Sequence, residues 1–247
     1  MGILRPKTLS IITTHHCTAA CDHCCFHCTP KLTVRIPPDR LEKLIDEATE
    51  VPSIKVIAFT GGECFTLPDL DARIEQAAAY GFKTRCVSNG YWAFNPERAA
   101  KRASDFSKAG LFELNLSTGT FHAKYVPIER VAYAARAATD VGVRTLITVE
   151  AFEGDGPYAD DLRNHPLLNE DIDAGRIFFQ RNVWMENGGT SILTHASEYN
   201  RFGEGKKCGC KTVIDVVAVT PTLSVVACCG LHLEKIPDLH VGSLAGC

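Results

Sequence analysis

Residues 8–24 read TLSIITTHHCTAACDHC, a β-rich apolar run that leads directly into cysteines with the spacing C-x3-C-x2-C. Thr, Ile and Leu dominate the run, as is typical of a strand buried in a sheet. The pattern places Cys17, Cys21 and Cys24 in one short segment at the carboxyl end of that strand. Three thiolates this close in sequence can bind three irons of a [4Fe–4S] cluster and leave the fourth iron without a protein ligand. An open metal position can bind a reactant, whereas a structural metal site is closed.

The cysteines are concentrated at two places. Of the twelve, five lie within residues 17–28 and five within residues 208–247, and we interpret the other two, Cys64 and Cys86, as core thiols. The amino terminus lacks the apolar region and cleavage site of a signal peptide, so we expect a cytoplasmic protein with reduced thiols. Thiols in that compartment are more often metal ligands than disulfide partners. The distribution therefore predicts two metal sites.

A repeated unit follows the first strand, in which a β-rich run ends in a polar or glycine turn and a helical stretch comes next. This alternation predicts an α/β fold with a parallel sheet covered by helices. Six such units favour an open (β/α)6 barrel over a flat doubly wound sheet. The predicted strands are Thr8–Thr14, Ile54–Thr60, Lys83–Ser88, Phe112–Ser117, Arg144–Glu150 and Arg176–Gln180.

Charge and apolar content argue against two classes of partner. The chain has 26 basic and 29 acidic residues without long runs of either sign, which does not favour a nucleic-acid-binding surface. No window approaches the ~20 consecutive apolar residues of a membrane span. We therefore expect neither nucleic acid nor a membrane as a partner.

A second motif, Gly61-Gly62-Glu63, follows the second predicted strand. Adjacent glycines let the backbone approach a ligand closely, and the Glu63 carboxylate can bind an ammonium group. Together the two motifs resemble the radical S-adenosylmethionine (SAM) superfamily, whose enzymes bind SAM at the open iron. The resemblance implies that Gly61, Gly62 and Glu63 bind the methionine amino group of SAM. It also implies a partial (β/α)6 radical SAM barrel, which we assign to residues 1–204.

Further SAM contacts are implied at the ends of the third and fourth strands. Ser88, Asn89 and Ser117 stand where members of the superfamily often bind the ribose or carboxylate of SAM. Serine and asparagine are also ordinary turn residues, so turn chemistry alone is an equal explanation. His122, in the following loop, is a candidate proton donor or acceptor, and a packed loop histidine is the alternative. No catalytic residue is assigned from the sequence.

The first cysteine group leaves two alternatives open. Cys21, Cys25 and Cys28 have the same spacing one step later, and we prefer the first register because Cys17 follows the strand almost directly. In the superfamily an aromatic residue usually precedes the third cysteine, whereas this chain has His23. The other alternative is a structural zinc site, with ligands among Cys24, Cys25, Cys28, His23 and His27.

From residue 205 onward the pattern changes to two short β-rich runs joined by Pro221-Thr222, which predicts a hairpin flanked by cysteines. The segment resembles the auxiliary iron–sulfur modules called SPASM or twitch. The resemblance implies a small C-terminal module at residues 205–247, either a one-cluster twitch form or a truncated SPASM module, with an auxiliary iron–sulfur cluster. A zinc site on the same thiols is the alternative. The implied ligands are Cys208, Cys210, Cys228 and Cys229.

The resemblance implies reductive cleavage of SAM at the [4Fe–4S] cluster, which yields a 5′-deoxyadenosyl radical that abstracts hydrogen from a substrate. The protein would supply position and exclude water. SPASM and twitch modules often accompany peptide or protein maturation, so a peptide-modifying enzyme is the favoured interpretation. A radical SAM enzyme acting on a small metabolite is one alternative, and a non-catalytic zinc or iron–sulfur protein is another. The implied electron donor is a protein such as flavodoxin or ferredoxin.

Overall fold

The computed structural model describes residues 5–151, 158–183, 214–229 and 237–245. Within them, strands and helices alternate from the first strand to the sixth, as predicted. The strands are β1 (Thr8–Thr14), β2 (Val56–Gly61), β3 (Lys83–Ser88), β4 (Glu113–Thr118), β5 (Arg144–Ala151), β6 (Ile177–Val183), β7 (Val216–Val219), β8 (Ser224–Val226) and β9 (His240–Ser243). The α-helices are α1 (Pro38–Glu47), α2 (Leu70–Ala79), α3 (Pro96–Lys108), α4 (Thr120–Ala123), α5 (Ile128–Asp140), α6 (Tyr158–Arg163) and α7 (Asn169–Asp173).

One sheet contains all the strands of the described residues, in the order β6-β5-β4-β3-β2-β1-β7-β8-β9. Strands β1 to β6 are parallel to their neighbours. Parallel neighbours require crossover connections, which the helices between them provide. The sheet is open, with β6 and β9 at its two edges. The predicted α/β class and parallel sheet are therefore confirmed.

Side chains of the strands alternate between the two faces of the sheet. Ile11, Phe59 and Leu114 are fully buried and share one apolar core with the helix residues Leu41 and Phe106. The helices therefore cover this face of the sheet. Because the strands are parallel, their carboxyl ends meet at one edge, and the candidate site residues follow those ends.

The boundaries of the helices follow from ordinary sequence signals. Helix α3 begins after Asn95, whose side chain accepts a hydrogen bond from the Arg98 N–H at 2.9 Å, and Pro96 stands in its first turn. Helix α1 buries Leu41 and Ile45 completely, and burial of such a side chain stabilises the fold by about 1.5–3 kcal/mol. The longest helices of the described residues, α3 and α5, have 13 residues each, and none there is long and apolar enough to cross a membrane.

The C-terminal hairpin continues the same sheet. Strand β7 pairs with β1 in parallel, from Thr8 opposite Val216 to Ile11 opposite Val219, and β8 pairs with β7 in antiparallel orientation. The predicted hairpin is therefore present. The proposed boundary between residues 204 and 205 lies outside the described residues, so the division into modules stays a prediction.

Candidate metal and cofactor site

The loop after β1 carries the first cysteine group and closes on itself. The Cys17 N–H donates a hydrogen bond to the Thr29 carbonyl at 3.2 Å, which ties together the two ends of residues 17–28. The Tyr125 hydroxyl, from the loop after β4, donates to the Ala20 carbonyl at 2.7 Å. The loop is thus held at the carboxyl edge of the sheet from two sides.

The thiols of the preferred register converge inside this loop. Cys17 is 9% exposed and shares one apolar cluster with Ala19 and Cys28, against which Cys21 and Cys24 pack. These residues line one side of a cavity of about 310 Å³. From the strand ends, the cavity is lined by Gly61, Gly62, Ser88, Asn89, Ser117 and Glu150.

The electrostatics of the thiols indicate which ligand they fit. The pKa of Cys17 and that of Cys21 are both raised to about 12, mainly by burial and further by the nearby charge of Cys24. Three thiolates can therefore exist together here only if a positive group compensates their charge. Iron provides that charge and binds thiolate sulfur. This set of one buried and two half-buried thiols thus fits an iron–sulfur cluster.

The neighbours of each thiol bear on the choice between the two registers. The charges that act on Cys21 include those of Cys17 and Cys24, which places these three groups close together. The charges that act on Cys25 are those of Cys24 and of Cys229 from the C-terminal hairpin. Cys25 and Cys28 nevertheless line the same cavity as Cys17, Cys21 and Cys24, so the choice of the first register stays a prediction.

The glycine turn after β2 packs against the start of the cysteine loop. The Gly62 N–H donates to the Thr14 carbonyl at 2.7 Å, and the Glu63 N–H donates to the His16 carbonyl at 2.9 Å. Gly61 has a φ of 128°, a conformation that favours glycine. A Cβ on Gly62 would lie 2.0 Å from the His16 carbonyl oxygen, a distance that non-bonded atoms do not reach. Only glycine therefore lets the turn and the loop meet in this way.

The Glu63 side chain lies buried between the ends of two strands, and its assignment as a SAM ligand stays a prediction. Its carboxylate is fully buried and is not part of the cavity lining. It accepts hydrogen bonds from the Asn89 N–H at 2.8 Å, the Phe65 N–H at 3.1 Å and the Ser88 hydroxyl at 3.1 Å. The carboxylate caps the short 3₁₀ turn Cys64–Thr66 and also accepts hydrogen bonds from the end of β3. In this structure Glu63 joins two strand ends.

We expect Glu63 to make the stability depend on pH. Burial raises its pKa from 4.5 to about 7, although its hydrogen bonds oppose the shift. Between these two values the folded protein binds a proton that the unfolded chain releases, so the free energy of unfolding falls as the pH rises through this window. Proton binding by Glu63 contributes at most about 3 kcal/mol to the free energy of unfolding, and this contribution is lost at pH values above the window. Denaturant unfolding at a series of pH values should show a flatter profile for Glu63→Gln than for the wild type.

The exposed Glu75→Gln, on α2, is the matched control and should keep the wild-type profile. A profile of Glu63→Gln that coincides with the wild-type profile would contradict the raised pKa.

The end of β3 contacts the cysteine loop directly. The Asn89 side-chain amide donates to the Thr18 hydroxyl at 3.0 Å and lies 3.8 Å from the Cys17 sulfur. Ser88 is buried and its hydroxyl donates to Glu63, whereas Ser117 lines the cavity from β4. The structure thus brings the predicted residues to one edge of the sheet, and their assignment as SAM ligands stays a prediction.

Sequence reasoning missed Glu150, a buried acid at the end of β5. One of its carboxylate oxygens accepts a hydrogen bond from the Phe121 N–H at 3.0 Å, and the other lies 3.9 Å from the His122 ring atom Nδ1. This second oxygen and that nitrogen are buried without a hydrogen-bond partner in the described part of the chain. Gly119 makes room for the carboxylate, since a Cβ there would lie 1.3 Å from it. The sequence feature that could have identified Glu150 as a site residue is its position as an acidic residue at the end of a predicted strand.

His23, which replaces the usual aromatic residue, packs against His122. The ring centroids are 4.8 Å apart, and the ligand atoms of Cys21, His23 and His122 all lie within 4.8 Å of one another. Burial lowers the pKa of His23 to about 3, and His122 contributes to the shift. A neutral imidazole can bind zinc. A zinc site of this kind would share Cys21 with the preferred cluster ligands, so the two sites exclude each other.

The second cysteine group is described only in part. Cys228 and Cys229 follow β8, and the Cys229 sulfur accepts a hydrogen bond from the Ser10 hydroxyl of β1 at 2.9 Å. Burial raises the pKa of Cys229. Cys208 and Cys210 lie outside the described residues. The auxiliary ligand set therefore stays a prediction.

The sequence model of the radical SAM superfamily matches residues 11–164, which include the cysteine loop and the glycine turn. The chain belongs to the radical SAM superfamily. This membership confirms the prediction made from the two motifs, and it implies an enzyme with a [4Fe–4S] cluster and SAM as cofactors. The buried thiols at the cavity fit that implication.

One curated relative of this radical SAM protein is YydG of Bacillus subtilis, provisionally named as a peptide biosynthesis protein. The two are 30% identical over 165 residues, which cover 65% of this chain and 49% of YydG. The chain therefore spans about half the length of that relative.

Solved structures resemble the radical SAM protein over nearly its whole length. The structure of anSMEcpe with bound AdoMet and the Cp18Cys peptide has a TM-score of 0.61 and 14% identity, and the match covers 98% of this chain and 78% of that one. Streptococcus suis SuiB bound to S-adenosylmethionine has a TM-score of 0.52 and 15% identity, with coverage of 97% and 63%. At these identities the likeness shows the fold, a partial radical SAM barrel that is not closed.

Proposed function

We propose that this radical SAM protein modifies a peptide, and that it cleaves SAM reductively at a [4Fe–4S] cluster bound by Cys17, Cys21 and Cys24. The observation that carries the proposal is the convergence of these buried and half-buried thiols beside the Gly61-Gly62 turn in one cavity. When bound, the cluster and SAM supply one-electron cleavage and hydrogen abstraction. The protein positions both and excludes water from them.

Different residues around the cavity have different roles in binding the cluster and SAM. The three thiols hold the cluster in the loop after β1, and the close fit of Gly62 against His16 keeps the turn beside it. Because the Glu63 carboxylate is buried and hydrogen-bonded to the end of β3, we assign binding of the SAM ammonium group to backbone carbonyl oxygens of the turn. Asn89 and Ser117 supply hydrogen-bonding groups at the next two strand ends.

The peptide substrate is proposed from the YydG relative, whose name refers to peptide biosynthesis. Structural likeness does not separate substrate classes here. SuiB has also been solved with its precursor peptide SuiA, with a TM-score of 0.50, and BtrN in complex with AdoMet and 2-DOIA has the same TM-score. A small-molecule substrate is therefore the competing proposal.

The proposal includes two modules and two partners. Residues 1–204 form the radical SAM core, and residues 205–247 form the auxiliary module. The β7–β8 hairpin, which leads into Cys228 and Cys229 and pairs with β1, supports the second module. A flavodoxin or ferredoxin in the cytoplasm is the proposed electron donor. The proposed auxiliary ligands are Cys208, Cys210, Cys228 and Cys229.

The test of the substrate class uses the reconstituted protein under anaerobic conditions, with dithionite and SAM. Precursor peptides encoded beside its gene are compared with a panel of small alcohols and sugars. We expect a peptide to stimulate 5′-deoxyadenosine formation and to change in mass, or to take up deuterium from heavy water, in proportion to the nucleoside. Turnover of a small alcohol or sugar with every peptide unchanged would contradict the peptide proposal. Zinc in the purified protein without iron or sulfide would contradict the proposal that it cleaves SAM at an iron–sulfur cluster.

A further inference from the structure

Glu150 is the only carboxylate that lines the cavity among the described residues, and no lysine or arginine among them lines it. The Glu150 side chain is 5% exposed, so its carboxylate is largely removed from water. One oxygen accepts the hydrogen bond from the Phe121 N–H, whereas the other is buried without a hydrogen-bond partner in the described part of the chain. A buried charge without a partner is costly, so this oxygen fits a ligand that brings positive charge to it.

The surroundings of this oxygen place it beside the proposed cluster ligands. The His122 ring atom Nδ1 lies 3.9 Å from the oxygen, which is beyond hydrogen-bond distance. A ring nitrogen of His122 also lies within 4.8 Å of the Cys21 sulfur. His122 thus stands between Glu150 and Cys21, and all three residues line the same cavity. A ligand that reaches the cluster therefore comes close to the Glu150 carboxylate.

The charge of SAM lies where a carboxylate beside the cluster can act on it. SAM carries a positive charge on its sulfur, whereas S-adenosylhomocysteine lacks the methyl group and is neutral at that atom. The two compounds otherwise share the adenosine, amino and carboxylate groups. Reductive cleavage passes an electron from the cluster to the sulfonium, so this sulfur has to bind close to the cluster. The positive charge and the unpartnered oxygen of Glu150 consequently belong to the same end of the cavity.

We propose that Glu150 is a specificity-determining residue: its carboxylate supplies the counter-charge of the SAM sulfonium and makes the cavity prefer SAM to S-adenosylhomocysteine. The proposal rests on the proposed function, because it requires SAM to bind beside the cluster. Opposite charges attract more strongly in a site that excludes water than at a surface. Cleavage removes the positive charge, so the same carboxylate favours retention of SAM over retention of its products.

The experiment compares equilibrium binding of SAM and of S-adenosylhomocysteine to anaerobically reconstituted protein of equal iron content, without reductant, so that SAM is not cleaved. Glu150→Gln keeps the size of the side chain and an acceptor for the Phe121 N–H but removes the charge. We expect it to lower the affinity for SAM by at least about tenfold and to leave that for S-adenosylhomocysteine unchanged. Glu150→Asp, which keeps a carboxylate, should retain a preference for SAM. The matched control is Glu129→Gln, which removes an exposed charge on α5 and should change neither affinity.

Two results with Glu150→Gln would overturn the proposal. An equal loss of affinity for both compounds would place Glu150 against a group that they share, and an unchanged affinity for SAM would leave the carboxylate without a role in SAM binding. The wild type offers a test that does not depend on the folding of a variant. Sinefungin, which carries an ammonium group in place of the sulfonium, should bind more tightly than S-adenosylhomocysteine, and equal affinities would also overturn the proposal. Failure of the iron-loaded wild type to bind SAM would instead contradict the proposed function.

Discussion

Replacement of Cys17, Cys21 and Cys24 together by alanine should remove about four iron atoms per chain and abolish formation of 5′-deoxyadenosine from SAM. The reason is that these three thiols line one side of the cavity and are the protein ligands of the proposed cluster. Iron and sulfide analysis after anaerobic reconstitution checks the first part of the prediction. Chromatography of the nucleoside formed with dithionite and SAM checks the second.

A pair of double variants tests the cysteine register directly. Cys17→Ala with Cys24→Ala removes two ligands of the preferred register, whereas Cys25→Ala with Cys28→Ala removes two of the other. We expect the first pair to lose the cluster and the second pair to keep its iron. The reverse result would assign the cluster to Cys21, Cys25 and Cys28. Both pairs delete two thiols from the same loop, so a general loss of packing affects them alike.

The substitution Gly62→Ala should weaken SAM binding and slow SAM cleavage by on the order of a hundredfold, the scale of rate loss expected when reacting groups are misplaced by about 1 Å. The new Cβ would stand 2.0 Å from the carbonyl oxygen of His16, which belongs to the backbone and cannot rotate away. The turn must therefore separate from the loop and lose the hydrogen bond from its N–H to Thr14. Equilibrium binding of SAM to the reconstituted protein measures the effect.

Gly242→Ala is the matched control, because a Cβ on this glycine of β9 meets no atom within 4 Å. It should leave SAM affinity unchanged. Iron content should remain near the wild-type value in Gly62→Ala if the thiols still find the cluster. Wild-type SAM affinity in a folded Gly62→Ala would show that the turn is not part of the binding site.

The architecture could be predicted from the sequence because its signals are local. The run Thr8–Thr14 was predicted with the bounds that the structure has, and so was Lys83–Ser88. The start of α3 also follows from a local signal, since the short side chain of Asn95 before Pro96 satisfies a free backbone N–H of the helix. The motifs also sufficed to identify the family.

The direction of individual side chains could not be predicted in the same way. Glu63 points inward because Asn89 and Ser88, on a different strand, offer it donors that no local pattern reveals. Glu150 can occupy its place only because Gly119, directly after the neighbouring strand β4, leaves space for its carboxylate. Such placements depend on the register between strands and appear only once the sheet is assembled.

The pairing of β7 with β1 has a consequence for how the protein is made. The strand that leads into the cysteine loop gains its second neighbour from a segment about two hundred residues further along the chain. At ribosomal rates, that edge stays unpaired for on the order of ten seconds or more, and an open edge invites pairing with other chains. The nascent protein therefore needs protection during synthesis. Once the chain has left the ribosome, β1 is paired with β2 on one side and with β7 on the other, so iron loaded at that stage would bind beside a fully paired strand.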